Sequence, residues 1–573
     1  MSRTAADYMA EALAQAGVKR IYGVVGDSLN GFTDSLRRLE TIEWIHMRHE
    51  ESAAFAAAAE AHLTGKLAVC AGSCGPGNLH LINGLYDAQR SNVPVLAIAA
   101  HIPSSEIGID FFQSTHPENL FRECSHYVEL VSSAEQLPQV LLRAMRVAVA
   151  QKGVAVVVIP GDVALKPLEK SVPGWLVPAA PVVRPADDEL HTLANLLNEG
   201  ERVTLFCGAG CAGAHDAVIE LAGRLKAPIV HAMRGKEHIE YENPFDVGMT
   251  GLLGFASGYH AMKDCDTLLM LGTDFPYRQF FPGNARIAQV DIRAAALGNR
   301  CPLDLGVIGT VSDTVEALLP LIAEKPDSSH LDKSAADYRK ARADLDALAE
   351  GGPRTRFIHP QYVNRVVSEL ASDDAIFSCD VGTPVAWAAR YLRMNGRRRL
   401  VGSFNHGSMA NAMLHAIGAQ AAFPKRQVIS MSGDGGFTMM MGEFVSLIQN
   451  KLPVKVVVLN NGTLGFVELE MKASGFLDTG CDLQNPNFAA MAQAIGIKGV
   501  RVEAPQDLEA AVREVLEHDG PALLDVVSAR QELVMPPSAT FDEARKFGVF
   551  TLKAVLDGRA GQLIDLAKVN VLR

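Results

Sequence analysis

Cysteine is sparse in this 573-residue chain: nine residues, an odd number, with no CxxC pair among them. That excludes a paired zinc site or a disulfide framework and points to reduced thiols, as in the cytosol. Cys70/Cys74 and Cys207/Cys211 stand four apart among small turn residues and read as packing. A basic surplus is missing too. The net charge of −12 argues against nucleic acid as a partner, which needs clustered basic residues to replace phosphate counterions. No apolar run approaches the roughly 18 residues of a membrane-crossing helix. No leader is visible either, since MSRTAADYMAEALAQAG reads as an amphipathic helix ended by Gly17. Hydrophobic content of 48% beside 21% charge is that of a soluble globular protein, and the length asks for several domains.

What is present is a strand–helix rhythm in three blocks. Residues 1–165 alternate helix and strand, with an alanine-rich helix after Arg48-His49-Glu50-Glu51 and a glycine-rich loop, Gly72 to Asn78, that reads as neither helix nor strand. Residues 166–186 are a linker spaced by Pro167, Pro173, Pro178, Pro181 and Pro185. A second block, 187–322, opens with a strand that enters Gly208, Gly210 and Gly213 in GxGxxG spacing. Taken alone, a plain glycine turn fits that spacing as well as a dinucleotide site. The strand after it ends near Arg234 and Gly235 where a nicotinamide site wants an acid, so a flavin fits better. Residues 323–355, charged and helical and broken by Gly351-Gly352-Pro353, form a second linker; 356–529 is the third block; and 530–573 is a tail that leaves the rhythm. The pattern predicts an α/β fold of three doubly wound parallel-sheet domains plus a C-terminal helical tail.

The third block holds the most telling stretch, VISMSGDGGFTMMMGEFVSLIQNKLPVKVVVLNN. An apolar strand ends in Gly433-Asp434-Gly435, a helix follows with Met439, Met440, Phe444, Leu447 and Ile448 at helical spacing, and a second strand stops at Asn460-Asn461. Ligands of such βαβ units sit at the carboxyl ends of the strands. A carboxylate on one strand end and an amide oxygen on the next suit magnesium holding a diphosphate. Between Gly435 and Asn460 lie 24 residues. With that spacing the stretch resembles the thiamin diphosphate motif of the family that includes pyruvate oxidases, acetolactate synthases and 2-oxoacid decarboxylases.

The resemblance spans nearly the whole chain, through GVVGDSLNG, RHEESAAFAA, AGSCGPGNLHLINGLYDA, HIPSSEIG, CDVGTPVAWAARYL, GSFNHGSMANAM and NNGTLGFVELEMK, and is strongest to the quinone-dependent pyruvate dehydrogenases, or pyruvate oxidases. It implies pyrimidine-binding, FAD-binding and diphosphate-binding domains in that order. It implies that Glu50 holds the cofactor's aminopyrimidine and that Met409 wedges its two rings. Asp434, Asn461 and the Thr463 carbonyl would ligate magnesium. Asp380, Gly382, Thr383, Gly407, Ser408, Gly433, Gly435, Gly436, Leu464, Gly465 and Phe466 would line the thiamin diphosphate site. Phe112, Gln113 and Glu468 would fall near pyruvate, and Phe466 matches an aromatic that moves between the cofactors. The flavin candidates are Gly208, Gly210, Thr250, Gly251, Leu252, Leu253, Gly254, Thr273, Asp274, Phe275, Pro276, Tyr277, Arg278, Asp291 and Ile292.

The resemblance also implies a homotetramer with Glu50 of one chain facing Asp434 of another. It implies electron transfer from FAD to a ubiquinone-type quinone, and a cytoplasmic protein peripheral on the inner face of the cell membrane. On a helical wheel Leu563, Ile564, Leu566, Ala567 and Val571 share one side of the tail, with Asn570 intruding and Asp565 and Lys568 opposite. Read alone, that helix docks on its own core; in the resembled enzymes it covers the site at rest and binds lipid on activation. Arg397-Arg398-Arg399 reads as a solvated loop, with an anionic surface as the alternative. An acetolactate synthase, with a redox-idle flavin, and an oxidase using oxygen and phosphate remain open as readings.

Overall fold

The computed structural model describes residues 3–168, 181–351, 356–530, 532–534, 541–557 and 559–570. Three six-stranded parallel sheets follow one another along the chain. The first contains β1 (Arg20–Gly23), β2 (Glu43–His46), β3 (Ala68–Gly72), β4 (Val95–His101), β5 (Tyr127–Leu130) and β6 (Val154–Pro160), in the order β2-β1-β3-β4-β6-β5. The second contains β7 (Val203–Cys207), β8 (Ile229–His231), β9 (Asp246–Met249), β10 (Thr267–Leu271), β11 (Arg286–Asp291) and β12 (Leu305–Ile308), ordered β12-β11-β10-β7-β8-β9. The third contains β13 (Ile376–Cys379), β14 (Arg399–Gly402), β15 (Val428–Gly433), β16 (Lys455–Asn460), β17 (Lys498–Val502) and β18 (Ala522–Val527), ordered β14-β13-β15-β16-β18-β17. This is the α/β class the rhythm predicts. Parallel strands are covered by helices on both faces and so read as unbroken apolar runs; β6 and β16 are buried along their whole length. The winding reverses between β1 and β3, between β7 and β10, and between β13 and β15, and each reversal opens a crevice at the carboxyl ends of the strands.

The first and third sheets are pressed together by two helices. Glu50–Thr64, with Ala53 to Ala59 all buried, lies against Asn411–Ala422. A Cβ on Gly418 would stand 2.0 Å from the Ala56 carbonyl oxygen, so only glycine allows this approach. A second tie lies at the front of the helix, where the Arg48 and His49 amides donate to the buried Glu443 carboxylate at 3.0–3.2 Å. All three sheets meet at Glu237, which accepts from Arg399 at 2.8 and 3.3 Å and from the Leu400 amide at 2.9 Å, with His62 3.6 Å away.

Several local expectations need correction. Gly72 closes β3 and a helix already begins at Pro76 (Pro76–Ser91), because proline is at home in a first turn. The segment after Gly433-Asp434-Gly435 is three short pieces, Asp434–Met439, Met441–Val445 and Ser446–Gln449, so one helical face does not persist. Phe444 and Leu447 are buried, but Met439 is 57% exposed. The second linker is helical as expected, over Ser329–Leu348, but it is packed as well, with Tyr338 edge-on to Phe255 of the second sheet's domain. Of the three arginines only Arg397 is solvated: Arg398 is buried and donates to the Ala371 and Ser372 carbonyls, and Arg399 pairs with Glu237. In the last helix, Ala560–Asn570, the buried side chain is Val569, while Ile564, assigned to the inner side, is 55% exposed. The proline linker from 169 to 180, Gly352-Pro353, Met535-Pro536-Pro537 and Val571 lie outside the described residues, as do the side chains of Asp565, Ala567 and Lys568.

The Glu237 junction sets a pH dependence. Burial alone would raise its carboxyl, but His62, Arg399 and His238 together outweigh it and hold the group below its usual 4.5. Burial also lowers the imidazoles from their usual 6.5, that of His238 to about 4. The depressed carboxyl stabilises the fold above 4.5 and that stability is lost as pH falls. The histidines, held neutral, add a loss beginning below 6.5, because there the unfolded chain binds more protons than the folded one. His238→Asn removes one such site. Its stability should fall by about 2 kcal/mol less than that of the wild type between roughly pH 7 and pH 4.5, read by scanning calorimetry. Parallel curves would show that His238 does not carry the effect.

Candidate active site

The crevice between β13 and β15 gathers the expected diphosphate residues. β15 ends at Gly433, which caps the short helix Asp434–Met439, and Asn461 follows β16 next to it in the sheet. Asp434 is buried, with Oδ1 accepting from the Gly435 amide (2.8 Å) and Oδ2 from the Gly462 amide (2.7 Å) and the Asn485 side chain (2.8 Å). Burial is the largest influence on its carboxyl and raises it above the usual 3.8 despite these donors. A desolvated carboxylate of this kind gains most from a cation beside it. The Asn461 side-chain oxygen accepts from the Thr463 amide at 3.1 Å, and the Thr463 carbonyl accepts from the Gly465 amide at 2.9 Å with a lone pair to spare. Carboxylate, amide and carbonyl oxygens are hard donors that fit magnesium better than a softer metal. Among the described residues no cluster of three His, Cys, Asp or Glu offers another metal site.

Glycine makes room around these donors. A Cβ on Gly436 would lie 1.8 Å from Asp380 Oδ2, and one on Gly435 would lie 2.6 Å from Leu464 and 3.4 Å from the Met409 terminal methyl. Asp380 follows β13, is fully buried, and has no partner on Oδ2; burial pushes its carboxyl up to about 7. Gly382, at φ +114°, caps the helix Thr383–Tyr391, whose first turn faces the same crevice with amides suited to an anion. Gly407 also has positive φ (+80°), and Ser408 donates to the Met409 carbonyl and accepts from Asn83. Phe466 is half-buried on the helix Gly465–Ala473. Glu468 on that helix is held by Thr463 (2.6 Å) and Lys472 (2.5 Å). Burial would raise its carboxyl, but these partners hold it below the usual range.

Glu50 belongs to the crevice of the first sheet. It is the first residue of its helix and is buried, with Oε2 2.9 Å from His80 Nδ1 and Oε1 2.9 Å from where a Cβ on Gly77 would be. Gln113, at φ +60°, accepts from the Cys74 thiol at 3.3 Å and presses on Gly75, so it shares this half-site. Phe112 beside it is 77% exposed. Among the described residues no hydrogen bond or ion pair joins Glu50 to Asp434, Asn461 or Met409 of its own chain. Asn83 bridges nearby, donating to Glu51 and Ser408.

The flavin candidates line the carboxyl edge of the second sheet. Gly208 and Gly210 pack on Gly272 at the β7/β10 reversal, closely enough that a Cβ on either would overlap it. Thr273, Asp274, Phe275, Pro276, Tyr277 and Arg278 continue from β10; Phe275 sits among Phe206, Phe280 and Phe281, and Asp274 accepts from Arg300. Thr250, buried with its hydroxyl unpartnered, and Gly251, Leu252, Leu253 and Gly254 follow β9; the Leu253 and Gly254 carbonyls accept from Arg390. Asp291 ends β11 and caps the Arg293 amide, with Ile292 exposed beyond it. Sequence reasoning missed His80, Asn485, Glu443 and Asn411. Each is one polar residue in a loop or helix, with no spacing pattern to mark it.

The fold and this geometry define a class: an α/β protein that gathers hard oxygen donors and backbone amides suited to an anion at the reversal point of a parallel sheet. Comparison with known proteins then gives the family. Residues 3–120, 190–318 and 380–526 match, respectively, the N-terminal TPP binding, central, and C-terminal TPP binding domains of the thiamine pyrophosphate enzymes. The chain is 31% identical over 526 residues to pyruvate oxidase of Lactiplantibacillus plantarum, covering 89% of this chain and 86% of that one. It is 29% identical over 547 residues to acetolactate synthase isozyme 1 large subunit of Escherichia coli, covering 93% and 95%. Over 345 residues, 60% of this chain and 87% of the other, it is 67% identical to an uncharacterized 42.6 kDa protein of Pseudomonas amyloderamosa. The chain belongs to the thiamin diphosphate (thiamine pyrophosphate)-dependent enzyme family.

Asp434→Ala should leave the far-ultraviolet circular dichroism intact and weaken magnesium-dependent thiamin diphosphate binding more than about a hundredfold by titration calorimetry, since losing outer-shell partners alone costs 10- to 100-fold. Near-native affinity would place the metal elsewhere.

Proposed function

We propose that this enzyme oxidatively decarboxylates pyruvate to acetate and carbon dioxide on thiamin diphosphate, and passes the electrons through FAD to a membrane quinone. Bound thiamin diphosphate supplies the carbon nucleophile and electron sink for decarboxylation, and FAD supplies the two-electron acceptor. Asp434, Asn461 and Thr463 hold the magnesium, and Asp380, Gly382 and Thr383 flank the diphosphate. Glu50, buried on the first turn of its helix, holds the aminopyrimidine by a hydrogen bond. Gln113 and Phe112 orient pyruvate. Glu50 of one chain serves Asp434 of a second within a homotetramer.

The observation that carries the redox reading is the tail. Helix Phe541–Leu556 packs by Phe550 and Ala554 on Gly465–Ala473, the helix of Phe466 and Glu468; Lys472 lies 5.6 Å over the Phe550 ring and Lys553 donates to the Gly475 carbonyl. Its outer side leaves Leu552, Val555 and Leu556 exposed, the last by 78%. A helix packed beside Phe466 and Glu468 with an apolar outer face supports an enzyme that meets its quinone at a lipid surface on the inner face of the membrane. The competing reading is an acetolactate synthase, favoured by an identity to that relative close to the one with pyruvate oxidase.

Anaerobic mixing decides between them. With magnesium, thiamin diphosphate, FAD and pyruvate, the flavin absorbance should bleach, and a quinone analogue should restore it. Anionic vesicles should speed bleaching in the full chain but not in one ended at residue 530. An oxidised flavin with pyruvate consumed and acetolactate formed would establish the synthase. A second test addresses the shared site: Glu50→Gln and Asp434→Ala, each inactive alone, should recover up to about a quarter of wild-type activity when refolded together, because random pairing restores one intact site in that proportion. No recovery would mean that each chain completes its own site.

A further inference from the structure

We propose that Asn411 is a positioning residue that holds Met409 against the bound cofactor by locking a strained turn. The inference rests on the reading of Met409 as the wedge. Ala410, next in the chain, has φ +69°, a left-handed conformation that a residue with a Cβ avoids. Neither neighbour relieves it, so something must hold it. The Asn411 side chain, fully buried, makes three hydrogen bonds around this residue. Its amide nitrogen donates to the Ser408 carbonyl (2.8 Å) and to Asp380 Oδ1 (3.1 Å), and its oxygen accepts from the Ser403 amide (3.1 Å).

The three partners come from different points along the chain. Ser403 starts the loop after β14, Ser408 directly precedes Met409, and Asp380 directly follows β13 at the diphosphate crevice. One side chain therefore ties the wedge, its loop and the anion site into a single rigid unit. A flexible thioether side chain positions a ligand poorly unless its backbone is fixed. Backbone amides of Ala410 and Asn411 also point to the Asp380 carboxylate, so the lock is shared with a group that cannot move without disturbing the sheet.

The test uses holoenzyme and follows exchange of the thiazolium C2 proton with deuterium by quenched-flow NMR, beside cofactor affinity by calorimetry. Asn411→Ala should slow exchange about a hundredfold, the cost of misplacing a reacting group by roughly 1 Å, with affinity changed less than about tenfold. Adding Ala410→Gly, which accepts positive φ freely, should recover most of that loss. Wild-type exchange in Asn411→Ala would overturn the proposal. So would a loss of affinity and exchange together that Ala410→Gly does not mend, which would mark Asn411 as part of the general scaffold. Met409→Ala separates the two ideas: if it exchanges at the wild-type rate, the wedge reading fails, whatever Asn411 does. If Asn411→Ala does not fold, Asn411→Ser takes its place with the same expectations.

Discussion

The contact of Gly418 with the Ala56 carbonyl is the constraint on which the rest of the molecule depends. At a separation that admits no side chain, two helices from different sheets share one interface. The Glu50 helix is thereby seated, and so is the helix that begins directly after Met409 and Ala410. Glu443 finishes the job at the open end by capping the amides just before Glu50. A bulkier residue at 418 would part the first and third sheets and shift both halves of the site together. That dependence explains why the Glu50–Thr64 helix is rich in alanine: small side chains bring backbones close, and burial rather than directed bonds holds them there.

Charge is handled differently in the two halves. At the diphosphate crevice two buried carboxyls, Asp434 and Asp380, are both raised by desolvation, and neither has a basic side chain among its hydrogen-bond partners. Their partners are backbone amides and asparagines. A protein that wanted only stability would have paired them with arginine, as it does at Glu237 and Arg399. Leaving Asp434 to neutral donors keeps a place for a cation and, through it, for a diphosphate. Asp380 lies on the far side of the same glycines, where an ionised carboxylate would oppose the anion. Burial, which pushes its carboxyl up to about 7, lessens that opposition near neutral pH.

Much of this was legible in the sequence. The fold class followed from unbroken apolar runs alternating with amphipathic segments, since a parallel sheet demands that pattern. Asp434 and Asn461 could be placed because glycine and asparagine at strand ends are local signals. What escaped were contacts made by single polar residues across long separations: His80 with Glu50, Asn485 with Asp434, Asn411 with Asp380. The helix after Asp434 was read as continuous because apolar spacing reports which side is buried, not whether the backbone turns from one kind of helix to another. Arg398 and Arg399 were read as solvated because three adjacent arginines carry no sign of a buried carboxylate 162 residues earlier in the chain.

The tail shows the limits of a single helical wheel, and also what it can still imply. Phe541–Leu556 is apolar inward at Phe550 and Ala554 and apolar outward at Leu552, Val555 and Leu556. A helix apolar on both sides cannot be satisfied by one neighbour. Burying an exposed leucine is worth about 1.5–3 kcal/mol, so the outward row holds back several kcal/mol until a second apolar surface meets it. Among the described residues the inward contacts include the Phe550 ring, Ala554, Lys553 lying 5.7 Å over the Phe476 ring, and polar tethers from Lys553 to Gly475 and from Arg559 to Asp478. The outer row, bare beside the helix of Phe466 and Glu468, is therefore the feature of this helix that calls for a second apolar surface.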